Sequence, residues 1–219
     1  MPDLSQTSPA AFNCQGGLVL NRSTFLMQPG EALELQNFEP DIEGGYRRIN
    51  GFSKYVSAVV PQTSSSTEQV LMVATFGDLV VAARGEKIFT ATAGGSSWTE
   101  RDSGRTSAGT YAFERFNFDG NNKLIVVDGA NAPTVFNTAM SATDVSNSDV
   151  AGSKFVAAFK SHMFYAGKSS TPQTLVFSVP FDEDDFTGGS GAGSIKVDDT
   201  ITGLKVFRDN LFIFCENRI

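Results

Sequence analysis

The sequence predicts an all-β chain: an irregular, incomplete β-propeller of about four blade-like antiparallel sheets, with a short helix in an N-terminal arm. Three observations lead there. First, an apolar strand ending in Phe, a tight polar turn and a second apolar strand recur as one unit. The unit occurs at Phe76-Gly-Asp-Leu79, Phe118-Asp-Gly-Asn-Asn-Lys-Leu124, Phe159-Lys-Ser-His-Met163 and Phe207-Arg-Asp-Asn-Leu211. Second, these Phe anchors stand 42, 41 and 48 residues apart, and a period of about forty residues with several strands per unit is that of propeller blades. Third, 19 Phe and 21 Gly in 219 residues supply aromatic packing between sheets and many tight turns.

The arm, residues 1–50, does not repeat. Residues 1–12 are polar and read as flexible. Within the arm, Pro29-Gly-Glu-Ala-Leu-Glu-Leu-Gln-Asn37 is the helix candidate, with Pro in the first turn, early Glu31 and good helix formers. Pro40 and Gly44-Gly45 end it. The propeller-like domain spans 51–219. Residues 51–61 read as an extended strand and 62–67 as a surface loop. The first blade takes VLMVATF (70–76), LVVAA (79–83), KIFTAT (87–92) and SWTERD (97–102). The second takes YAFERFNF (111–118), KLIVV (123–127) and TVFN (134–137), with its fourth strand undefined. The third takes KFVAAF (154–159), HMFYAG (162–167) and TLVFSV (174–179), and the fourth SIKV, LKVF (204–207) and LFIFC (211–215). Glu216-Asn-Arg-Ile219 falls where earlier units turn into a third strand, so the domain is expected to be truncated, or completed by something else.

Composition narrows the function classes. Hydrophobic residues make up 41% and charged residues 19%, as expected of a globular chain. A net charge of −7 argues against an electrostatic clamp on nucleic acid and is compatible with transient passage of DNA through an acidic channel that does not hold it. Cys14 and Cys215 make no disulfide framework. The N-terminus has no secretory-signal pattern, and no apolar run approaches the roughly 20 residues of a membrane helix. The expectation is a chain made in the cytoplasm, with no membrane partner.

Motifs for chemistry are sparse, and no catalytic, cofactor-binding or metal-binding residue is assigned. The single histidine, His162, sits in a turn, and no Gly-x-Ser-x-Gly elbow accompanies it. Two Cys and one His lack paired zinc-ligand spacing. Phe181-Asp-Glu-Asp-Asp-Phe186 could offer clustered oxygens to calcium. Its spacing departs from the alternating EF-hand pattern, and the favoured reading is a solvated loop between blades, pinned by its Phe residues. Gly188-Gly-Ser-Gly-Ala-Gly193 lacks the Lys-Ser/Thr pair of a phosphate cradle and reads as a flexible loop. Gly44-Gly-Tyr-Arg-Arg-Ile-Asn-Gly-Phe52 has two readings: a strand with one Arg exposed and one paired locally, or contact with a neighbouring subunit. Candidate interface residues are Tyr46, Arg47 and Arg48, with Phe181, Asp182, Asp185 and Phe186 of the acidic loop.

Two resemblances bear on function. Ala91-Thr-Ala-Gly-Gly-Ser-Ser-Trp98 resembles the Asp-box turn of sialidase-like propellers, with Gly95 and Trp98 in place and Ala93 near the position of the Asp. More of the chain resembles the tail nozzle or head-completion (stabilisation) proteins of tailed bacteriophages, and virion structural proteins of marine cyanophages. FNCQGGLVL, PGEALELQNFEP and GGYRRINGFSKY in the arm carry that likeness, with residues 151–165 and the stretch from Leu175 through FDEDDF to Phe214. Family members are considerably longer. The resemblance implies a non-enzymatic virion protein of the tail or head–tail junction, assembled in the host cytoplasm. It implies a homo-oligomeric ring, typically six copies, that prolongs the DNA channel below portal and adaptor and carries tail fibre or distal tail parts. Six copies would carry about −42, a charge that repels phosphate where it lines a lumen. The alternative is a glycan-binding or glycan-cleaving propeller module of the tailspike or sialidase kind.

Overall fold

β-Branched and aromatic runs, punctuated by Gly- and Asn-bearing turns, produce a succession of short strands and, among the described residues, two single 3-10 turns. The computed structural model describes residues 16–41, 45–64, 67–107 and 109–219. The chain divides between Ser53 and Lys54 into two units. Residues 1–12 and Cys14 lie outside the described residues.

The described residues of the first unit form four very short strands. β1 (Gly17–Leu18) pairs in parallel with β2 (Glu31–Ala32), and β3 (Phe38–Pro40) pairs antiparallel with β4 (Tyr46–Arg48). The helix expected over 29–37 does not form. Gly30 takes φ 92°, which breaks a right-handed turn at its start, and Glu31 joins β2 instead. The Glu31 carboxylate is held by Arg22 at 2.9 Å and by the Gln28 backbone N–H at 2.8 Å. A nine-residue segment is too short to keep a helix without an apolar face packed against something, and its Leu33 is exposed.

In the second unit, three four-stranded antiparallel sheets follow one another, each meandering in chain order. The first contains β5 (Val70–Phe76), β6 (Leu79–Arg84), β7 (Lys87–Thr92) and β8 (Thr99–Asp102). The second contains β9 (Ala112–Phe116), β10 (Lys123–Val127), β11 (Thr134–Phe136) and β12 (Ala142–Asp144). The third contains β13 (Phe155–Phe159), β14 (His162–Ala166), β15 (Thr174–Phe177) and β16 (Gly193–Lys196). A hairpin of β17 (Ile201–Phe207) and β18 (Asn210–Cys215) closes the series. Among the described residues no sheet closes on itself.

Two further expectations differ from the structure. Residues 194–197 belong to the third sheet, not to a fourth: β16 pairs with β15 from Thr174–Lys196 to Phe177–Gly193. Residues 51–61 are irregular rather than a strand. Their backbone bonds instead to the turn after β7, with Gly94 N–H donating to Tyr55 O, Ser57 N–H to Gly95 O and the Trp98 indole to Ala58 O at 3.0 Å. The turn that resembles an Asp box is therefore an anchor for this segment.

Polar turns between first and second strands do what their residues allow. Lys160-Ser161 and Arg208-Asp209 both sit at positive φ, near 45° then 60°, the left-handed pair whose twist suits a two-residue hairpin. Gly77 supplies the same sign of φ without side-chain strain.

Strand β10 explains how the sheets stack. Leu124 and Val126 pack with Met72, Phe76, Val81 and Ile88 of the first sheet. Their neighbours Ile125 and Val127 point the other way, to Val156, Met163 and Tyr165 of the third. All four are buried, so LIVV (124–127) reads as an unbroken apolar run because both faces are covered. The pattern repeats in β14, where Met163 and Tyr165 face the second sheet, while Phe164 and Ala166 face the hairpin residues Leu204, Leu211 and Ile213. Successive sheets approach most closely along their first strands: β5 beside β9, β9 beside β13, β13 beside β17.

Leu124→Ala and Ile125→Ala each empty one of two opposite cores and should each cost about 2–5 kcal/mol of unfolding free energy in urea denaturation. A loss below about 1 kcal/mol for either would contradict two-sided burial.

Candidate functional site

Polar side chains hold the stacked sheets in place at two clasps. In the first, Asp128 ends β10 and accepts bonds from the backbone N–H groups of Ala130 and Asn131 and from the Asn131 carboxamide. This is a local turn that fixes its carboxylate. Arg105, in the connection leaving the first sheet, then reaches in. Its guanidinium lies 2.6 Å from Asp102, 3.2 Å from Asp128 and 3.6 Å from Asp144, with its side chain 3% exposed. It also donates to Ala132 O at 2.9 Å. Burial acts to lower the Arg105 pKa, but the three carboxylates outweigh it and the net shift is upward, so the cation is fixed. Burial likewise pushes against the charged form of Asp128, yet its bonds to Asn131 and Ala130 and the nearby Arg105 hold it below the usual carboxylate range. Tyr111, desolvated and beside Asp128, is pushed up to about 12.

The second clasp is the acidic loop. Phe186 inserts among the core residues between the second and third sheets, its ring 5.8 Å from that of Tyr165. Phe181 does not: it stands at φ 64° with 64% of its surface exposed. The pinning expected of both Phe residues thus falls to one. Tyr165 donates to Glu183 O at 3.0 Å, and burial raises its phenol well above the usual value. Glu183 receives Lys123 of β10 at 2.7 Å, and Asp184 accepts from the Ser146 N–H. Asp182 and Asp185 cap turns of the loop itself, through the N–H groups of Asp184 and Thr187. The carboxylates are thereby committed to the protein, and no group of His, Cys, Asp and Glu among the described residues is placed to hold a metal ion.

In the other unit, Arg47 pairs with Glu39 across β3 and β4 at 2.7 Å. Arg48 is exposed and lines a shallow cleft of about 590 Å³ with Asn37 and Phe52. Tyr46 is half-buried, its hydroxyl near Gly17. Phe25 and Phe52 are almost wholly exposed, at 95% and 99%. The two sets of candidate interface residues therefore belong to different units, and Gly44 lies outside the described residues.

No protein-family model matches this chain, and no curated protein matches it.

His162 opens β14 rather than occupying the turn, which is Lys160-Ser161. Its Nδ1 lies 2.6 Å from Ser178 O and its ring meets Phe177 edge-on, a packed and bonded environment. Cys215 is a free, half-buried thiol. A small cavity of about 230 Å³ lies where β9, β13 and β17 converge, with Glu114 and Lys205 facing it. Burial raises the Glu114 carboxyl, and Lys205 partly offsets the shift. Beyond β17 and β18, the face opposite the core presents Phe207, Phe212 and Phe214, all exposed, with Arg208 over the Phe207 ring.

Sequence reasoning missed Arg105, whose three carboxylates lie 3, 23 and 39 residues away. The one legible signal was Asp128-Gly129, a turn pair directly after an apolar strand.

Arg105→Gln leaves buried Asp128 without its cation and should lower unfolding free energy by about 3–5 kcal/mol in guanidinium denaturation. Full stability would mean the clasp is ornamental. Glu68 accepts from the N–H and hydroxyl groups of Thr63 and Ser64, which hold its pKa down to about 2 against 4.5 for a free carboxyl. Its folded pKa is depressed, so its support of this loop is complete above about pH 4.5 and is lost as pH falls toward 2. The amide shifts of Thr63 and Ser64 should titrate with a midpoint near 2; a midpoint near 4.5 would contradict the bonding.

Proposed function

We propose that this chain is a non-enzymatic structural protein of a phage virion, at the tail or head–tail junction, working through its surfaces. In this reading the three sheets and the hairpin are blades of an irregular β-propeller, and copies of the protein assemble into a nozzle-like ring, with six as the expected number. That ring would extend the DNA channel below portal and adaptor and carry distal tail parts.

The observation that carries the reading is the exposed aromatic face of the last hairpin. Phe207, Phe212 and Phe214 share one face of β17 and β18, and all three are exposed. Contiguous exposed apolar surface of this kind marks an interaction site. Convergence of β5, β9, β13 and β17 along first strands supports a fan of sheets about a common side. The exposed Phe25 and Phe52 of the first unit add a second apolar surface. A charge of −7 per copy favours a conduit that DNA slides through over one that binds it.

Electron microscopy of the purified protein with its portal and adaptor proteins tests this directly. Ring-shaped particles, absent for a Phe212→Glu/Phe214→Glu variant, are expected. Only single chains, with or without portal and adaptor, would overturn the assembly role.

A further inference from the structure

Between the first and second sheets lies an open cleft of about 710 Å³, within the size range of small-ligand sites. The turn after β5 and the turn after β9 form its two sides. Its lining includes the apolar side chains of Phe76, Leu79 and Phe116. Arg115 stands in the wall. Among the described residues no carboxylate pairs with it; its contacts are to Thr75 O and Oγ1, both at the long limit of 3.4 Å. Lys123 also lines the cleft but is already held by Glu183 at 2.7 Å and Asp119 at 3.2 Å. Arg115 is thus the cation with bonding capacity to offer.

Around it stand short side chains that both donate and accept. Asn117 and Asn122 bond to each other through one donor and one acceptor at 3.3 Å, which leaves a carbonyl on the first and an N–H on the second. Thr138 adds a hydroxyl and Asp78 an acceptor-only carboxylate. Asp78 would repel a phosphate or a dicarboxylate but accepts readily from a hydroxyl. A guanidinium recognises one carboxylate bidentately. The ligand class that satisfies all of these is a sugar bearing a single carboxylate and several hydroxyls.

We propose that this cleft binds a monocarboxylated saccharide, its carboxylate on Arg115 and its hydroxyls on Asn117, Asn122, Thr138 and Asp78. The site is separate from the surfaces of the assembly reading and neither requires the other.

Titration of the full chain with D-glucuronate, followed by amide NMR, tests it. Glucuronate should shift the amides of Gly77, Asn117 and Asn122. D-glucose, the same ring without the carboxylate, should bind at least tenfold more weakly. Arg115→Gln should weaken glucuronate binding at least tenfold, and Asn122→Ala about threefold, with amide dispersion elsewhere unchanged. Equal binding of glucose, undiminished binding by both variants, or shifts confined to other surfaces would overturn the site. So would tighter binding of N-acetyl-leucine than of glucuronate, which would make it a peptide-carboxylate pocket.

Discussion

Burial on both faces of the second and third sheets is the constraint on which the second unit depends. A four-stranded meander satisfies its backbone hydrogen bonds internally but has two faces, and its own residues cover neither. Strand β10 shows the solution. Adjacent residues Leu124 and Ile125 lie in different cores, one shared with the sheet before and one with the sheet after. Stability is therefore shared between neighbours, as in repeat proteins, and no module has a core of its own.

Apolar stacking is non-directional, and the polar clasps supply the direction. Arg105 ties the connection after the first sheet to carboxylates at the ends of β10 and β12. The acidic loop ties the third sheet to β10 through Glu183 and Lys123. Each clasp crosses one sheet-to-sheet interface, and each carries a buried group that is costly to leave unpaired. What composition presents as a run of four carboxylates is largely internal bonding, while Phe181 stays at the surface.

Much of the second unit was legible because its signals are local. VLMVATF, KIFTAT and KLIVV match their strands residue for residue, since apolar runs bounded by Gly, Asp and Asn turns admit few alternatives. The errors share a cause. Glu31 to Leu35 has helix-forming residues, but a left-handed Gly30 and a backbone partner at Gly17 decide for extended structure. Residues 194–197 are separated from β15 by the long acidic and Gly-rich loop, so their pairing partner could not be read from proximity in the chain. The candidate cleft was illegible for the same reason: Phe76 at the end of β5, Arg115 in β9 and Thr138 after β11 lie far apart in the chain.

By itself, the sequence determined the all-β class, the repeating strand–turn–strand unit and the position of most strands, because hydrophobic run length and turn chemistry act over a few residues. Tertiary structure alone decided which sheet covers which face, that Arg105 meets Asp128 and Asp144 from the second sheet, and that no carboxylate among the described residues pairs with Arg115. Those outcomes depend on distances between residues far apart in the chain, and burial and charge pairing are set by such distances rather than by local pattern.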